Sequence, residues 1–164
     1  MKLESNPLIW GLLRLGLGWI FLWSFIDKLW GLGFSTEAGS GWLAGGSPTF
    51  GYLSFATKGP FAGIFQAMAT STLVEWLFML GLLLIGLSLL LGIGVRVAGY
   101  SAALMYVLMY LAGAMPPEHN PFLDEHIMFA ILSVGFALSP SGEYLGFGKW
   151  WKNQKFVKKN PWLI

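Results

Sequence analysis

The sequence predicts an all-α membrane protein folded as a four-helix bundle, and three observations carry that reading. Hydrophobic residues make up 55% of the chain and charged residues only 11%, against about a quarter charged in an ordinary soluble domain. The mean hydropathy is +0.63. Four apolar stretches recur along the chain, each near the roughly 20 helical residues that cross a hydrocarbon core of about 30 Å. At 164 residues these spans and their connections fill a single membrane domain.

The first span is Leu8–Ile26, with Arg14 as its only charge and Asp27 and Lys28 at its end. Lys2 alone precedes it as a basic flank and no small-residue cleavage site follows, so it is expected to stay as an anchor rather than leave as a signal peptide. Residues 31–71 are rich in Gly, Ser, Thr and Pro but also carry Phe34, Trp42, Phe50, Tyr52, Phe55, Phe61 and Phe65. A loop of that length is usually functional or disordered, and its aromatic content argues against disorder. It is expected to fold back over the bundle, with a short interfacial helix over 60–69 opened by Pro60.

Trp76–Val95, bracketed by Glu75 and Arg96, is the clearest span. Gly92 and Gly94 allow a tight turn into the third, Val97–Met115, which Pro116 and Pro117 end. The fourth, Pro121–Leu138, carries Asp124, Glu125 and His126 in its opening turns and reaches about 27 Å at helical rise. A Gly and aromatic segment ending in Trp150 and Trp151 leads into a basic tail, 149–164, suited to membrane lipids with anionic headgroups.

Four spans put both termini on one side. Lys2, Arg96, Lys149, Lys152, Lys155, Lys158 and Lys159 fall on that side, and only Lys28 and Lys58 on the other. The positive-inside rule then makes both termini cytoplasmic, in a multi-pass protein of the cell membrane.

The absence of cysteine excludes disulfides, thiolate metal sites and cysteine-ligated iron–sulfur clusters. A formal charge of +2 gives no footprint for nucleic acid. Phosphate-cradling glycine motifs and the nucleophile elbow of serine hydrolases are missing. His119 and His126 are the only histidines, both expected near the outer surface, so no transmembrane haem pair is available. A metal site from Glu118, His119, Asp124 and His126 would have to fold around Pro121, and no metal is expected.

Several residues remain as candidates. Arg14 shares a helical face with Gly11, Gly18, Phe21, Phe25 and Lys28, where a guanidinium either donates to a ligand between helices or snorkels to headgroups. Asp124, Glu125 and His126 are consecutive, so on a helix at most two of them converge. His126 is the proton-exchanging candidate, with Asp124 and Glu75 beside it, and Glu125 the candidate cap. Glu75, Asp27 and Lys28 close or open helices at the same level and are expected to join His126 in one polar pocket under the long loop. Trp19, Trp23 and Trp30 form one stripe, and Gly99, Ala103, Tyr106, Tyr110 and Gly113 another. With Met79, Met105, Met109 and Met128 they suit helix packing and also a flat quinone headgroup.

The blocks LLRLGLGWIFLWSFIDKLWGLGF, WLAGGSPTFGYL, GPFAGIF, EWLFMLGLLLIGLSLLLGIGVR, NPFLDEHIMFAILSVGFAL and FVKKNPWLI, in this order, resemble the DoxX family. The likeness is greatest to its branch related to the DoxD large subunit of thiosulfate:quinone oxidoreductase, with matches at Arg14, Gly18, Lys28, Gly92, Arg96, Asn120, Pro121 and His126. It implies a membrane oxidoreductase subunit passing electrons from a small outer-side donor, thiosulfate among the candidates, to membrane quinone. His126, Asp124 and Glu75 would then be catalytic, and Arg14, Lys28, Asp27, Trp23, Tyr106 and Tyr110 would bind donor or quinone. A second oxidoreductase subunit and self-association are the partnerships that go with it. The rival readings are a non-enzymatic scaffold that stabilises a membrane partner, and a binder or transporter of a small lipid or solute.

Overall fold

The computed structural model describes residues 6–118 and 121–164. His119 and Asn120, and with them the possible metal ligand and one family-matching position, lie outside the described residues, as does Lys2. All regular structure among the described residues is helical, and three helices are long and apolar enough to cross a membrane: Pro7–Trp30, Thr72–Leu91 and Val95–Gly113.

Helix α1 spans Pro7–Trp30. It opens on Asn6, whose side chain accepts from Leu8 N at 3.0 Å, with Pro7 pre-set for the first turn. It runs on past Ile26 because Asp27 and Lys28 stay helical, and it stops at Gly31, whose φ of 66° is left-handed and whose N–H donates to Asp27 O at 2.7 Å. The long connection then holds a 3-10 turn at Trp42–Ala44, a π-type turn at Tyr52–Ala56 and helix α2, Ala62–Gln66, shorter than the 60–69 expected.

Helix α3 begins at Thr72 rather than Trp76 and ends at Leu91 rather than Val95. Gly92, at φ 73°, turns the chain, so Val95 and Arg96 belong to the next helix. Helix α4, Val95–Met109, continues through a π-type turn at Tyr110–Ala114. Helix α5 is Glu125–Leu138, 14 residues, or about 21 Å long. That is shorter than the expected 121–138, because Asp124 and not Pro121 starts the helix. Short helices α6, Gly148–Trp151, and α7, Lys155–Lys159, close the chain.

Neighbouring long helices run antiparallel and meet through small residues. A Cβ built on Gly86 of α3 would stand 2.7 Å from Leu22 N of α1, and one on Gly99 of α4 would stand 2.6 Å from Ser133 O of α5. Side chains at either position would push these backbones apart. Leu17 and Phe21 of α1, Met79, Ile85 and Leu89 of α3, Ala102 and Tyr106 of α4, and Phe136 of α5 form the shared core. The stripe on α4 packs as a stripe should, with Gly99, Ala103 and Tyr106 buried. The one on α1 does not: Trp19 and Trp30 are exposed, and Trp23 stacks on Trp19 at 5.6 Å. Of the methionines, Met79 is buried while Met128 is 55% exposed, so the four do not form one wall.

Candidate functional site

The helices have two polar ends. One holds the start of α1, the α3–α4 turn and the segment after α5; the other holds the end of α1, the start of α3, the end of α4 and the start of α5.

At the first end Arg14 is fully buried. Its Nε donates to Ser141 O at 3.1 Å, one Nη to Leu89 O and to Leu90 O at 3.2 Å, and the other to Tyr144 O at 2.8 Å and Leu145 O at 3.0 Å. A guanidinium has five N–H groups, so all are committed to backbone carbonyls. The last four carbonyls of a helix have no partner within it, and here each one is met from elsewhere. Ser88 O accepts from Gly92 N, Leu89 O and Leu90 O from Arg14, and Leu91 O from Phe147 N at 2.8 Å. Arg14 therefore closes the end of α3 and ties it to residues 141–145. It neither snorkels outward nor has a donor left for a ligand.

At the second end Asp124 sits in extended conformation just outside α5, where a carboxylate can accept from the first-turn N–H groups. Its Oδ1 accepts from Ile127 N at 3.2 Å, while Oδ2 lies 2.6 Å from His126 Nδ1. The cap is thus Asp124, not Glu125. An ionised carboxylate can only accept, so Nδ1 carries the hydrogen and Nε2 is the ring position left for proton exchange. The two side chains are 12% and 20% exposed, within reach of water but mostly enclosed.

The imidazole lies against Tyr106, with ring centroids 6.3 Å apart and planes at 63°. Tyr106 is itself held between Phe21 at 5.3 Å and Phe129 at 5.3 Å. Tyr110 donates its hydroxyl to Phe122 O at 3.2 Å, steadying the approach to α5. Tyr52, from the long loop, donates to Met109 O at 3.3 Å. Partial burial, and then the charge of Asp124, raises the ionisation of its phenol above the usual tyrosine range. The loop therefore docks on the end of α4 within electrostatic range of Asp124, through a residue that the sequence marked only as one loop aromatic among several.

The other expected members of the pocket are engaged locally. Buried Asp27 accepts from Phe34 N at 3.3 Å, Ser35 N at 2.9 Å, Ser35 Oγ at 2.8 Å and Thr36 N at 2.9 Å, folding the start of the loop around its carboxylate. Glu75 accepts from Ser47 Oγ, which in turn accepts from Phe50 N at 3.0 Å. Trp23 meets the loop through Phe34, edge to face at 5.1 Å. Lys28 is half-buried and makes no ion pair among the described residues. No hydrogen bond or ion pair among the described residues joins Asp27, Lys28 or Glu75 to Asp124 and His126. Arg14 and Lys28 lie near opposite ends of α1, about 21 Å apart at helical rise, and do not share a ligand.

The arrangement can hold and move a proton at an imidazole beside a wall of aromatic rings. Compared with family models, curated proteins and solved structures, the chain has no match.

Proposed function

We propose that the chain is the membrane subunit of a DoxX-type oxidoreductase, in which a small donor outside the cell reduces membrane quinone and Asp124–His126 supplies the protons. The observation that carries this reading is the 2.6 Å contact between Asp124 Oδ2 and His126 Nδ1, which fixes the imidazole beside Tyr106. A carboxylate that orients one ring nitrogen leaves the other open to exchange a proton. The residues suit a quinone: the partly buried Phe129 ring offers flat apolar surface next to Tyr106, and the imidazole, once Nε2 has taken up a proton, can donate it to a carbonyl. Quinone, when bound, accepts two electrons and two protons; two thiosulfate ions would supply the electrons by joining through a new S–S bond. The protein's own part is to orient His126 through Asp124, to exchange the proton at Nε2, and to cover the site with the loop that carries Tyr52 and Ser47.

In the same reading α1, α3 and α4 span the bilayer, α5 with its flanking residues forms a shorter fourth span, and both termini are cytoplasmic. The basic residues favour this orientation. The chain has no native cysteine, so single cysteines at exposed Ser40 and Asn153 test it with an impermeant thiol reagent in intact cells. Ser40→Cys should label and Asn153→Cys should not; the reverse pattern overturns the orientation.

The functional test compares membranes carrying equal amounts of wild type and His126→Ala, supplied with donor and quinone. General acid–base groups contribute on the order of 10²- to 10⁴-fold, and a loss of that size is expected with the protein still folded. Equal quinone reduction by the two would sink the reading and favour the scaffold.

A further inference from the structure

The first end of the bundle carries a cleft of about 160 Å³ that the redox reading does not use. Gly92 of the α3–α4 turn, Val95 and Arg96 of α4, and Ser139, Glu143 and Trp151 are among the residues that line it. The volume is well below the roughly 300 Å³ where drug-sized ligands begin, and suits a small polar group. Four features show which kind.

Arg96 is exposed, and among the described residues only one of its Nη atoms is engaged, donating to Pro161 O at 3.0 Å. Its remaining N–H groups are available to an anion, beside the positive end of the α4 dipole. Glu143 pairs with Lys152 on one carboxylate oxygen, which leaves the other to accept. Ser139 Oγ is buried and has no hydrogen-bond partner among the described residues, an arrangement that is costly unless something else supplies one.

The fourth feature is the surroundings. The cleft lies where two membrane-length helices, α3 and α4, end and begin. On α7, Val157 is buried, and helical spacing turns Lys155 and Lys159 directly away from it. Lys149, Lys158, Trp150, Phe156 and Trp162 are also exposed around this end. Amphipathic aromatics with surplus lysine are what a headgroup layer attracts.

We propose that this cleft is a phospholipid headgroup site, with the lipid phosphate on Arg96 and a headgroup that carries N–H or O–H donors against Glu143 and Ser139. Ethanolamine and glycerol headgroups meet that description. Choline, which has no donor, does not. The site is independent of quinone chemistry at the other end of the helices.

The test is native mass spectrometry of the full chain released from bilayers of equimolar phosphatidylethanolamine, phosphatidylglycerol and phosphatidylcholine, with quinone absent. One retained phospholipid per chain is expected, of the ethanolamine or glycerol class, and Arg96→Gln should weaken retention by about tenfold, the equivalent of one strong hydrogen-bonded contact. Arg96→Lys keeps the cation and should recover most of it. Ser139→Ala removes the unpartnered hydroxyl, so it should leave thermal stability in lipid-free detergent unchanged or higher while lowering retention. Retention of choline lipid equal to the others, or wild-type retention in both Arg96→Gln and Ser139→Ala, overturns the proposal. So does displacement of the lipid by millimolar inorganic phosphate, which would mark a simple anion site.

Discussion

The two ends of the helices treat buried charge in opposite ways. At the first, Arg14 faces inward with every N–H on a backbone carbonyl, so the most conspicuous charge in the first span is fully occupied. At the second, Asp124 divides its two oxygens between a helix N–H and an imidazole, and His126 keeps one ring nitrogen uncommitted. Both residues are ionisable groups at the ends of apolar helices, and such groups are by default candidates for function. What separates them is spare hydrogen-bonding capacity. A group with none left is part of the scaffold, however costly its burial; a group with one position left can do chemistry.

That contrast can be broken experimentally, most forcefully at Arg14. Arg14→Leu would orphan the carbonyls of Leu89, Leu90, Tyr144 and Leu145, while Ser141 O would keep the N–H of Tyr144 at 3.2 Å. At about 1–3 kcal/mol for each buried unsatisfied group, against a total of roughly 5–15 kcal/mol, little folded protein should survive purification in detergent. A well-folded Arg14→Leu protein with a wild-type melting temperature would show that the guanidinium is dispensable to the fold, and the distinction between the ends would fail.

The matching change at the other end should leave the fold alone. Asn caps helices nearly as well as Asp, so Asp124→Asn keeps the bond from Ile127 N while removing the charge that orients His126. If the proposed redox role holds, quinone reduction in membranes should fall by at least about tenfold, within the range for acid–base groups, with the melting temperature nearly unchanged. A drop in stability that matches the drop in activity would make Asp124 a scaffold residue like Arg14.

A smaller effect sharpens the same comparison from the loop side. The charge of Asp124 contributes to holding the Tyr52 phenol above its ordinary ionisation range, after burial. Removing that charge should let Tyr52 ionise at lower pH in Asp124→Asn than in wild type. An ultraviolet titration of tyrosinate, with Tyr52→Phe to identify the signal, measures the direction. No difference would mean that the loop does not sense the dyad.

The sequence made the helices legible but not their partners. Periodicity put Gly11, Arg14, Gly18 and Phe21 on one face, and that face is buried. It could not say what Arg14 binds, because backbone carbonyls leave no mark in side-chain patterns. The helix boundaries moved where glycine, not charge, set them: Gly31 and Gly92 adopt left-handed conformations that stop α1 late and α3 early. At α5, reading Pro121 as the first helical residue let at most two of Asp124, Glu125 and His126 converge, and spacing alone did not single out Asp124 and His126. With Asp124 outside the helix as its cap, the two turn toward each other. Tyr52 was hidden for a different reason, since its position depends on how a long irregular loop closes over the helix ends.

The web around Arg14 also bears on how the chain is made. Its bonds reach across sequence separations of 75 residues to Leu89 and 131 to Leu145. A helix that enters the bilayer early thus carries a cation whose acceptors are synthesised much later. Until α3 and the 141–145 segment emerge from the ribosome, those acceptors are absent and that cation has to be met by water or lipid headgroups. With the last acceptors present, Arg14 joins α1, α3 and the C-terminal segment through one guanidinium. A nascent chain that stops short of residue 141 lacks the acceptors Ser141, Tyr144 and Leu145, and leaves the guanidinium of Arg14 with fewer partners than it has N–H groups.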